Sequence, residues 1–335
     1  LSGVKFNFSI FPEDNVEDKN AYSKVLDKVK NPLAILIAVP DHLHYEIALS
    51  SLNHGFPCQI VKPLTPNFRE AKILANKSIK DKIFTGVEFH KRLDKANRIL
   101  KDEYQSGKIG KLLYSVVEYS QRRSIPEKIF KNWANKTNIF QYLGIHYIDI
   151  LFNITNAIPK KILAVGQKSS LYEKGITDFD SITCQVIWEL PNKSEFTQIF
   201  ALNWIDSNES PTMSNQTIKI IGTKARIESD QSNRGIKIYG QGMPYETPNP
   251  YFCYPYKNYL GKYEWSGYGI ESIIQFLDDC EDLALNKVKL EELEKNRPTF
   301  DKSLWSSAVV EGCNKSLSLN SEWVDIKEIF DQTDE

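Results

Sequence analysis

The sequence predicts an α/β protein of two domains, a parallel sheet covered by helices followed by an α+β domain with an open-faced antiparallel sheet. Two observations favour this fold class. Over residues 20–89, short apolar segments alternate with amphipathic ones, which is typical of buried parallel strands linked by helices. Beyond residue 110, longer segments rich in β-branched and aromatic residues follow one another across polar turns, as antiparallel strands do. We place the domains at residues 1–89 and 90–335.

The first domain alternates three helices with three strands. The predicted helices cover residues 21–29, 44–55 and 67–78, and the predicted strands cover residues 33–39, 57–61 and 82–89. The strands are short and nearly continuous in apolar residues, as expected where both faces of a parallel sheet are covered. This arrangement corresponds to half of a doubly wound, Rossmann-like domain.

The second domain combines six predicted strands with three helices. The strands cover residues 112–120, 161–168, 180–190, 196–204, 216–229 and 235–240, and the helices cover residues 140–155, 269–286 and 301–317. We interpret the strands as one antiparallel sheet. The polar stretch at residues 208–216 is interpreted as a loop within that sheet.

Composition and charge exclude several classes of protein. With 335 residues, of which 41% are hydrophobic and 25% charged, the chain has the usual make-up of a globular protein with a substantial core. Its 42 basic and 43 acidic residues leave a formal charge of -1, which provides no general attraction to nucleic acid or to an anionic membrane. We therefore expect a small-molecule partner.

Cysteine usage and the lack of an apolar span indicate the compartment. The five cysteines are scattered without CxxC spacing, which argues against a disulfide framework or a zinc ribbon. No apolar run approaches the roughly 20 residues that cross a bilayer, and the first residues do not have the layout of a signal peptide. We expect a cytoplasmic protein. Because the chain starts at Leu1 and enters an apolar segment at once, we also expect that upstream residues are missing.

Two predicted strands end in residues that could carry chemistry. Open α/β sheets bind ligands beyond the carboxyl ends of their strands, and both Val39-Pro40-Asp41 and Lys62-Pro63 lie at such ends, on neighbouring turns. Lys62 is therefore expected to point toward a crevice rather than a core. The structural alternative is a lysine that ends a strand in solvent.

His146 is the second candidate for chemistry. The predicted helix over residues 140–155 puts Tyr142, His146 and Asp149 on one face. An imidazole can exchange a proton near neutral pH. Asp149 could hold the ring in one tautomer or could cap a neighbouring loop. A buried histidine with a purely structural role is the alternative, because the surrounding residues are largely apolar.

Other polar residues allow further interpretations. Arg122 and Arg123 end the first strand of the second domain, where they could bind a carboxylate or phosphate or simply be solvated. His42 and His44 would permit metal-dependent hydrolysis, but no Glu or His partner follows at metalloprotease spacing, and we expect no metal. The sequence contains no GxGxxG turn for a dinucleotide pyrophosphate.

Several motifs occur in the order found in one known family. AVPDHLHYEIALSSLNHGFPCQIVKPLT resembles the ATPNxxHxxxAxxALxxGxxVxxEKPL signature of the Gfo/Idh/MocA family, named for glucose-fructose oxidoreductase and inositol dehydrogenase. GVEFHKR is similar to its VxxNxR segment, QSGKIGKLLYSV to its helix-to-sheet crossover, GIHYID to its GxHxxD helix, and IKIIGTKARIESD to its IxGxxGxxxxD strand pair. The resemblance covers nearly the whole chain and lacks only the family's amino-terminal glycine-rich segment.

The resemblance implies an oxidoreductase that transfers hydride between NAD or NADP and a hydroxyl or carbonyl carbon of a sugar, polyol or sugar derivative. It implies Lys62 and His146 as catalytic residues, with Lys62 stabilising charge on oxygen and His146 taking the hydroxyl proton. The implied cofactor-binding residues are Val39, Pro40, His44, Lys62 and His90, and the implied substrate-binding residues are Tyr142, Arg122 and Trp133. The family fold further implies a homodimer or homotetramer paired through the open sheet face.

Three positions depart from the family pattern. Val61 replaces the glutamate before the lysine, Tyr142 replaces the aspartate one turn before the histidine, and His90 stands where asparagine is common. Val61 and Tyr142 favour an alternative, a ligand-binding or scaffolding relative without catalysis, and the absent glycine loop favours it too if Leu1 is close to the true start. The presence of both Lys62 and His146 favours the enzyme.

Overall fold

The computed structural model describes residues 7–13 and 15–331. Its helices are α1 (Ala21–Leu26), α2 (His44–Asn53), α3 (Phe68–Asp81), α4 (Lys95–Gln105), α5 (Ile145–Thr155), α6 (Ser170–Glu173), α7 (Tyr268–Ala284), α8 (Leu290–Asn296), α9 (Leu304–Ser318) and α10 (Ile326–Phe330). Its strands are β1 (Ile35–Ile37), β2 (Cys58–Val61), β3 (Thr85–Glu88), β4 (Leu112–Arg122), β5 (Ile158–Gln167), β6 (Ser181–Glu189), β7 (Glu195–Asp206), β8 (Ser214–Gly222), β9 (Arg226–Asp230), β10 (Tyr254–Lys257), β11 (Tyr263–Ser266) and β12 (Val324–Asp325). Within the described ranges, no helix combines the length and the apolar character needed to cross a membrane.

The first sheet is parallel, with the strand order β1-β2-β3. Ile35 of β1 lies opposite Cys58 of β2, and Cys58 lies opposite Thr85 of β3. Every position of β3 is buried, so both faces of this strand are covered, as is usual in a parallel sheet. At the start of α3, the side chain of Asn67 accepts the backbone N–H of Glu70 at 3.0 Å, which satisfies a free amide of the first turn. The predicted Rossmann-like half-domain is confirmed.

The second sheet has seven strands in the order β12-β5-β6-β7-β4-β8-β9. In β6, Ile182 and Cys184 are buried, whereas Thr183 and Gln185 between and after them are exposed. The buried face packs against α5 and α9, and the other face is open within the described part of the chain, where Thr183, Gln185 and Ala201 are exposed. The predicted second domain with an open sheet face is confirmed.

One strand pair departs from the predicted antiparallel pattern. β4 and β7 pair in parallel, with Val117 opposite Phe200, so the second sheet is mixed. Which strands are neighbours in a sheet depends on how the chain crosses over between them. The apolar periodicity of a single strand carries no information about these crossovers.

One segment predicted as a strand has another conformation. Residues 235–240 form only an isolated bridge, between Ile238 and Glu246. Gly235 has a φ of +87°, which lies outside the β region, and Tyr239 is exposed. Because no sheet face covers this segment, its apolar residues gain little from pairing as a strand.

Helices near the end of the chain connect the two sheets. Phe276 of α7 stacks on Phe84, next to β3, with ring centroids 5.2 Å apart. Gly86 permits this approach, since a Cβ there would lie 3.2 Å from the Phe276 ring. α9 contacts both α3 and β5. Helices after residue 267 thus pack against the parallel sheet and its helices. The predicted domain boundary between residues 89 and 90 stays a prediction.

Candidate functional site

The candidate site lies where the carboxyl ends of the parallel strands meet the start of α5. The turn after β1 carries Val39 and Pro40, both half-buried. Lys62 follows β2, and His90 follows β3. Parallel strands deliver their carboxyl ends to one edge of a sheet, so three separate segments of sequence converge there.

Lys62 is buried rather than solvated, with 8% of its surface exposed. Its Nζ donates a hydrogen bond to the backbone carbonyl of Tyr142 and lies 3.8 Å from the centroid of the Tyr142 ring. Burial lowers the pKa of Lys62 to about 8, although Asp41 and Glu88 oppose the shift. The peptide bond that joins it to the next residue is cis. Lys62 therefore reaches the helical segment that carries His146.

His146 lies at the first turn of α5 and is 3% exposed. Its Nδ1 is buried and has no hydrogen-bond partner in the described part of the chain. Burial, and then the neighbouring His90, Lys62 and Lys91, hold the pKa of His146 well below its ordinary value. A structural histidine of a core is hydrogen-bonded, so this ring has an unsatisfied atom that a ligand could contact.

Asp149 does not orient His146. Its carboxylate accepts two hydrogen bonds from Arg92, from Nε at 2.7 Å and from Nη2 at 2.5 Å. Burial raises the pKa of Asp149, and the charge of Arg92 opposes that effect. The pair ties the loop after β3 to α5 and so holds His90 beside His146.

His90 is oriented by a carboxylate. Its Nδ1 lies 2.8 Å from one oxygen of Glu88 and 3.0 Å from the other. Its ring centroid is 4.6 Å from that of His146 and 5.6 Å from that of Tyr268, on which it stacks. The ring centroid of Phe252 lies 5.5 Å from that of His90, so three rings pack around His90. Glu88 was not among the predicted site residues, although it ends the same strand that delivers His90.

Lys91 is a second buried lysine near the site, which the sequence reasoning missed. Its Nζ donates to the side-chain carbonyls of Gln216 and Gln231, each at 2.5 Å. Burial lowers the pKa of Lys91 to about 7, opposed by Asp94. The two glutamines lie on or next to β8 and β9, far along the sequence, so no local signal marks this network.

His44 joins the two turns that flank the site. Its side chain is fully buried, with Nε2 2.9 Å from the carbonyl oxygen of Val39 and Nδ1 2.8 Å from that of Pro63. Burial lowers the pKa of His44 despite these hydrogen bonds. Its contact with the site is therefore through the backbone that it positions.

The predicted substrate residues separate into two groups. Tyr142 and Trp133 pack on the ring of Phe130, with centroid distances of 4.8 Å and 4.1 Å, and form an aromatic wall beside Lys62. Arg122 instead donates to the backbone carbonyl of Ser210, in the loop after β7, and its Nε has no partner among the described residues. No contact brings Arg122 to Lys62 or His146 in the described structure.

The residues present fit one part of a dinucleotide site. Doubly wound sheets bind nucleotides at the carboxyl ends of their strands, and here those ends present a half-buried turn at Val39 and Pro40, a lysine and the unpartnered Nδ1 of His146. The described residues offer no comparable set of metal ligands, because no three or more His, Cys, Asp or Glu side chains cluster among them.

Comparison with known proteins gives one family match and several similar proteins. Residues 97–228 match the model of the GFO/IDH/MocA C-terminal domain. An uncharacterized oxidoreductase of Schizosaccharomyces pombe is 26% identical over 132 residues, which are 38% of this chain and 36% of that protein. Inositol 2-dehydrogenase of Corynebacterium glutamicum is 30% identical over 103 residues, which are 30% of this chain and 31% of that protein. These alignments span about a third of either curated relative.

Solved structures match over most of the chain. The inositol dehydrogenase homolog of Azotobacter vinelandii, complexed with NADH and myo-inositol, has a TM-score of 0.70 at 15% identity, covering 91% of this chain and 81% of that one. The scyllo-inositol dehydrogenase of Lactobacillus casei, with bound NAD(H) and scyllo-inositol, has a TM-score of 0.64 at 16% identity, covering 93% and 84%. At such identities the likeness establishes the fold. The domain match confirms the predicted resemblance to the Gfo/Idh/MocA family.

Proposed function

We propose that this chain, with its GFO/IDH/MocA C-terminal domain, is an NAD(P)-dependent oxidoreductase acting on CH–OH groups of a polyol, sugar or sugar derivative. The observation that carries the proposal is the hydrogen bond that joins Lys62 to the helical segment leading into the helix of His146. A buried lysine from the parallel sheet bonds to the helical segment of a buried histidine whose Nδ1 has no partner among the described residues. Buried titratable groups with shifted pKa values that come together from separate elements are typical of an active site.

In this proposal Lys62 and His146 have distinct roles. The Lys62 ammonium would bind the reacting oxygen and stabilise the negative charge that develops on it. His146, held neutral by burial and by its cationic neighbours, would accept the hydroxyl proton. A neutral base and a charged lysine side by side are what alcohol oxidation needs.

The cofactor is proposed to be NAD or NADP. Val39, Pro40, Lys62 and His90 would contact it, and His44 would act through the backbone carbonyls that it holds. When bound, the nicotinamide would accept or supply the hydride. The bound NADH or NAD(H) of the two structural neighbours supports this choice of cofactor.

The substrate is proposed to be a polyol or sugar, because two structural neighbours carry an inositol. The aromatic wall of Tyr142 and Trp133 offers flat apolar faces beside the Lys62 ammonium. Such faces suit the C–H face of a ring, while polar groups fix its hydroxyls. Arg122 could reach substrate only by leaving the carbonyl of Ser210.

The assembly is proposed to be a homodimer or homotetramer paired through the open face of the second sheet. Leu113 and Tyr114 at the start of β4 are exposed on the described chain, at 49% and 40%. Extended sheet faces with exposed apolar residues are commonly covered by a partner. The molar mass in solution, measured by light scattering, tests this proposal, and a monomer would contradict it.

The central experiment compares Lys62→Ala and His146→Asn with the unchanged protein. Reduction of NAD and of NADP is followed spectroscopically with myo-inositol, scyllo-inositol and a set of hexoses and polyols. We expect each variant to lose at least about tenfold in turnover, because each removes a group that acts on the reacting oxygen or its proton.

The matched control is Lys80→Ala, which removes an exposed lysine of α3. It should keep full turnover, and circular dichroism should show that all variants are folded. Turnover of Lys62→Ala equal to that of the unchanged protein would contradict the role proposed for Lys62. Ligand binding without turnover in the unchanged protein would favour the non-catalytic relative instead.

A further inference from the structure

His90 and Glu88 form a carboxylate–imidazole pair at the carboxyl end of β3. Both oxygens of Glu88 lie within 3.0 Å of Nδ1 of His90, and Ser272 of α7 donates its hydroxyl to Oε1 of Glu88 at 2.5 Å. The Glu88 side chain is only 10% exposed, so solvent screens its charge weakly. An ionised carboxylate at this position places the ring hydrogen on Nδ1 and leaves the lone pair on Nε2.

The second neighbour of His90 is His146. The two ring centroids are 4.6 Å apart, with the planes inclined by 55°. The two rings lie next to each other without a hydrogen bond between them among the described residues, so a proton would pass from one to the other through a bridging water. His146 is 3% exposed, whereas the side chain of His90 is 17% exposed. A proton on His146 thus has a route to solvent through His90.

We propose that His90, oriented by Glu88, relays to solvent the proton that His146 takes from the substrate hydroxyl. The inference rests on the proposed function, in which His146 is the general base. In the relay, an N–H bond of His146 breaks and an N–H bond forms at Nε2 of His90, after which water takes the proton. Glu88 stays ionised and stabilises the intermediate imidazolium through a charge-assisted hydrogen bond. No group is oxidised or reduced in this step.

The surrounding charges favour this direction of transfer. Burial, and then a charged His90, Lys62 and Lys91, lower the pKa of His146 and so disfavour its imidazolium form. Glu88 compensates a charge on His90 but has no contact with the His146 ring. The titratable groups that face His90 are Glu88 from β3, His146 from α5 and Tyr268 from α7.

The kinetic test uses His90→Asn and Glu88→Gln. Asparagine keeps a polar contact to Glu88 but cannot carry the proton, so we expect kcat to fall about tenfold or more, with little change in the KM for the polyol or sugar substrate. Added imidazole should restore part of kcat in His90→Asn, which a merely structural role of the ring would not allow. Glu88→Gln should show a smaller loss and a shifted pH profile, because the imidazolium loses its counter-charge.

The matched control is His54→Asn. His54 also pairs with a carboxylate, that of Asp27 at 3.1 Å, but on the surface of the molecule. The kcat and the pH–rate profile of His54→Asn should equal those of the unchanged protein. If His90→Asn behaves like this control while His146→Asn is inactive, the relay is wrong and the proposed function stands.

A measurement without turnover separates the two proposals further. The chain has five histidines, so nitrogen NMR of labelled imidazoles can be assigned by single variants. We expect His90 to carry its hydrogen on Nδ1, to lose this preference in Glu88→Gln, and to titrate differently in His146→Asn. A His90 titration that is unaffected by His146→Asn would overturn the relay even if the protein reduced no nicotinamide with any substrate tested.

Discussion

Tyr142 contacts Lys62 in two ways, through its backbone carbonyl and through its ring, whose centroid is 3.8 Å from Nζ. The carbonyl contact is made by residue 142 within a π-helical turn, Phe140–Gly144, that precedes α5. Such turns are frequent at functional sites. With tyrosine rather than aspartate at this position, the ring shields Lys62 from water without neutralising its charge, in line with a pKa lowered to about 8 by burial.

The first prediction concerns Tyr142→Asp. A carboxylate beside the ammonium favours its charged form, so the pKa of Lys62 should rise. If activity requires charged Lys62, turnover falls as the pH passes about 8 in the unchanged protein, and in Tyr142→Asp this fall should move upward by about one pH unit or more. Tyr142→Phe, which keeps the ring, should leave the fall in place. A pH–rate profile that is identical in Tyr142→Asp would contradict the account of Lys62.

At the scale of elements, the ion pair of Arg92 and Asp149 connects the loop after β3 to α5. Both side chains are largely buried, with 15% and 4% of their surface exposed. The two parallel hydrogen bonds fix the separation and orientation of the two segments. Since His90 lies on one segment and His146 on the other, the pair also sets the distance between the two imidazoles.

The second prediction is that Arg92→Leu destabilises the protein by about 3–5 kcal/mol, because it leaves the Asp149 carboxylate buried without compensation. Urea unfolding measures the change. The double variant Arg92→Leu with Asp149→Leu should recover much of the loss, since no unpaired charge remains. Lys77→Ala, which breaks the more exposed pair with Asp81 at 2.8 Å, should cost less than about 1 kcal/mol. Equal losses for the buried and exposed pairs would contradict this reasoning.

For the whole molecule, buried lysines make stability depend on pH. Lys91 has a pKa of about 7 when folded and an ordinary value of 10.5. Between these values the unfolded chain binds more protons than the folded chain, so this lysine makes the free energy of unfolding rise with pH. Its contribution to the slope is at most about 1.4 kcal/mol per pH unit. Below about pH 7 Lys91 is protonated in the folded state as well. The free-energy cost of burying its charge is then fully present.

The third prediction follows for Lys91→Met. The rise in urea midpoint from about pH 7 to about pH 9 should be smaller in this variant than in the unchanged protein, because one source of the slope is removed. Lys80→Met, at an exposed position of α3, serves as the control and should keep the full rise. A slope unaltered by Lys91→Met would show that Lys91 titrates normally in the folded state.

Most local elements and two residues of the candidate site could be predicted from the sequence alone. Apolar periodicity marked the parallel strands, the helices between them and most strands of the second sheet, because the period of burial follows from local geometry. Lys62 and His146 were identifiable because one stands at a strand end and both lie in motifs of a known family.

Which side chains contact each other depends on the tertiary structure. Lys62 and Tyr142 are 80 residues apart in sequence, Glu88 and Ser272 are 184 apart, and Lys91 and Gln231 are 140 apart. It also paired Asp149 with Arg92 instead of His146 and placed β4 parallel to β7. Periodicity specifies which face of an element is buried, but the partner that covers that face is set by chain crossovers and by packing across the whole molecule.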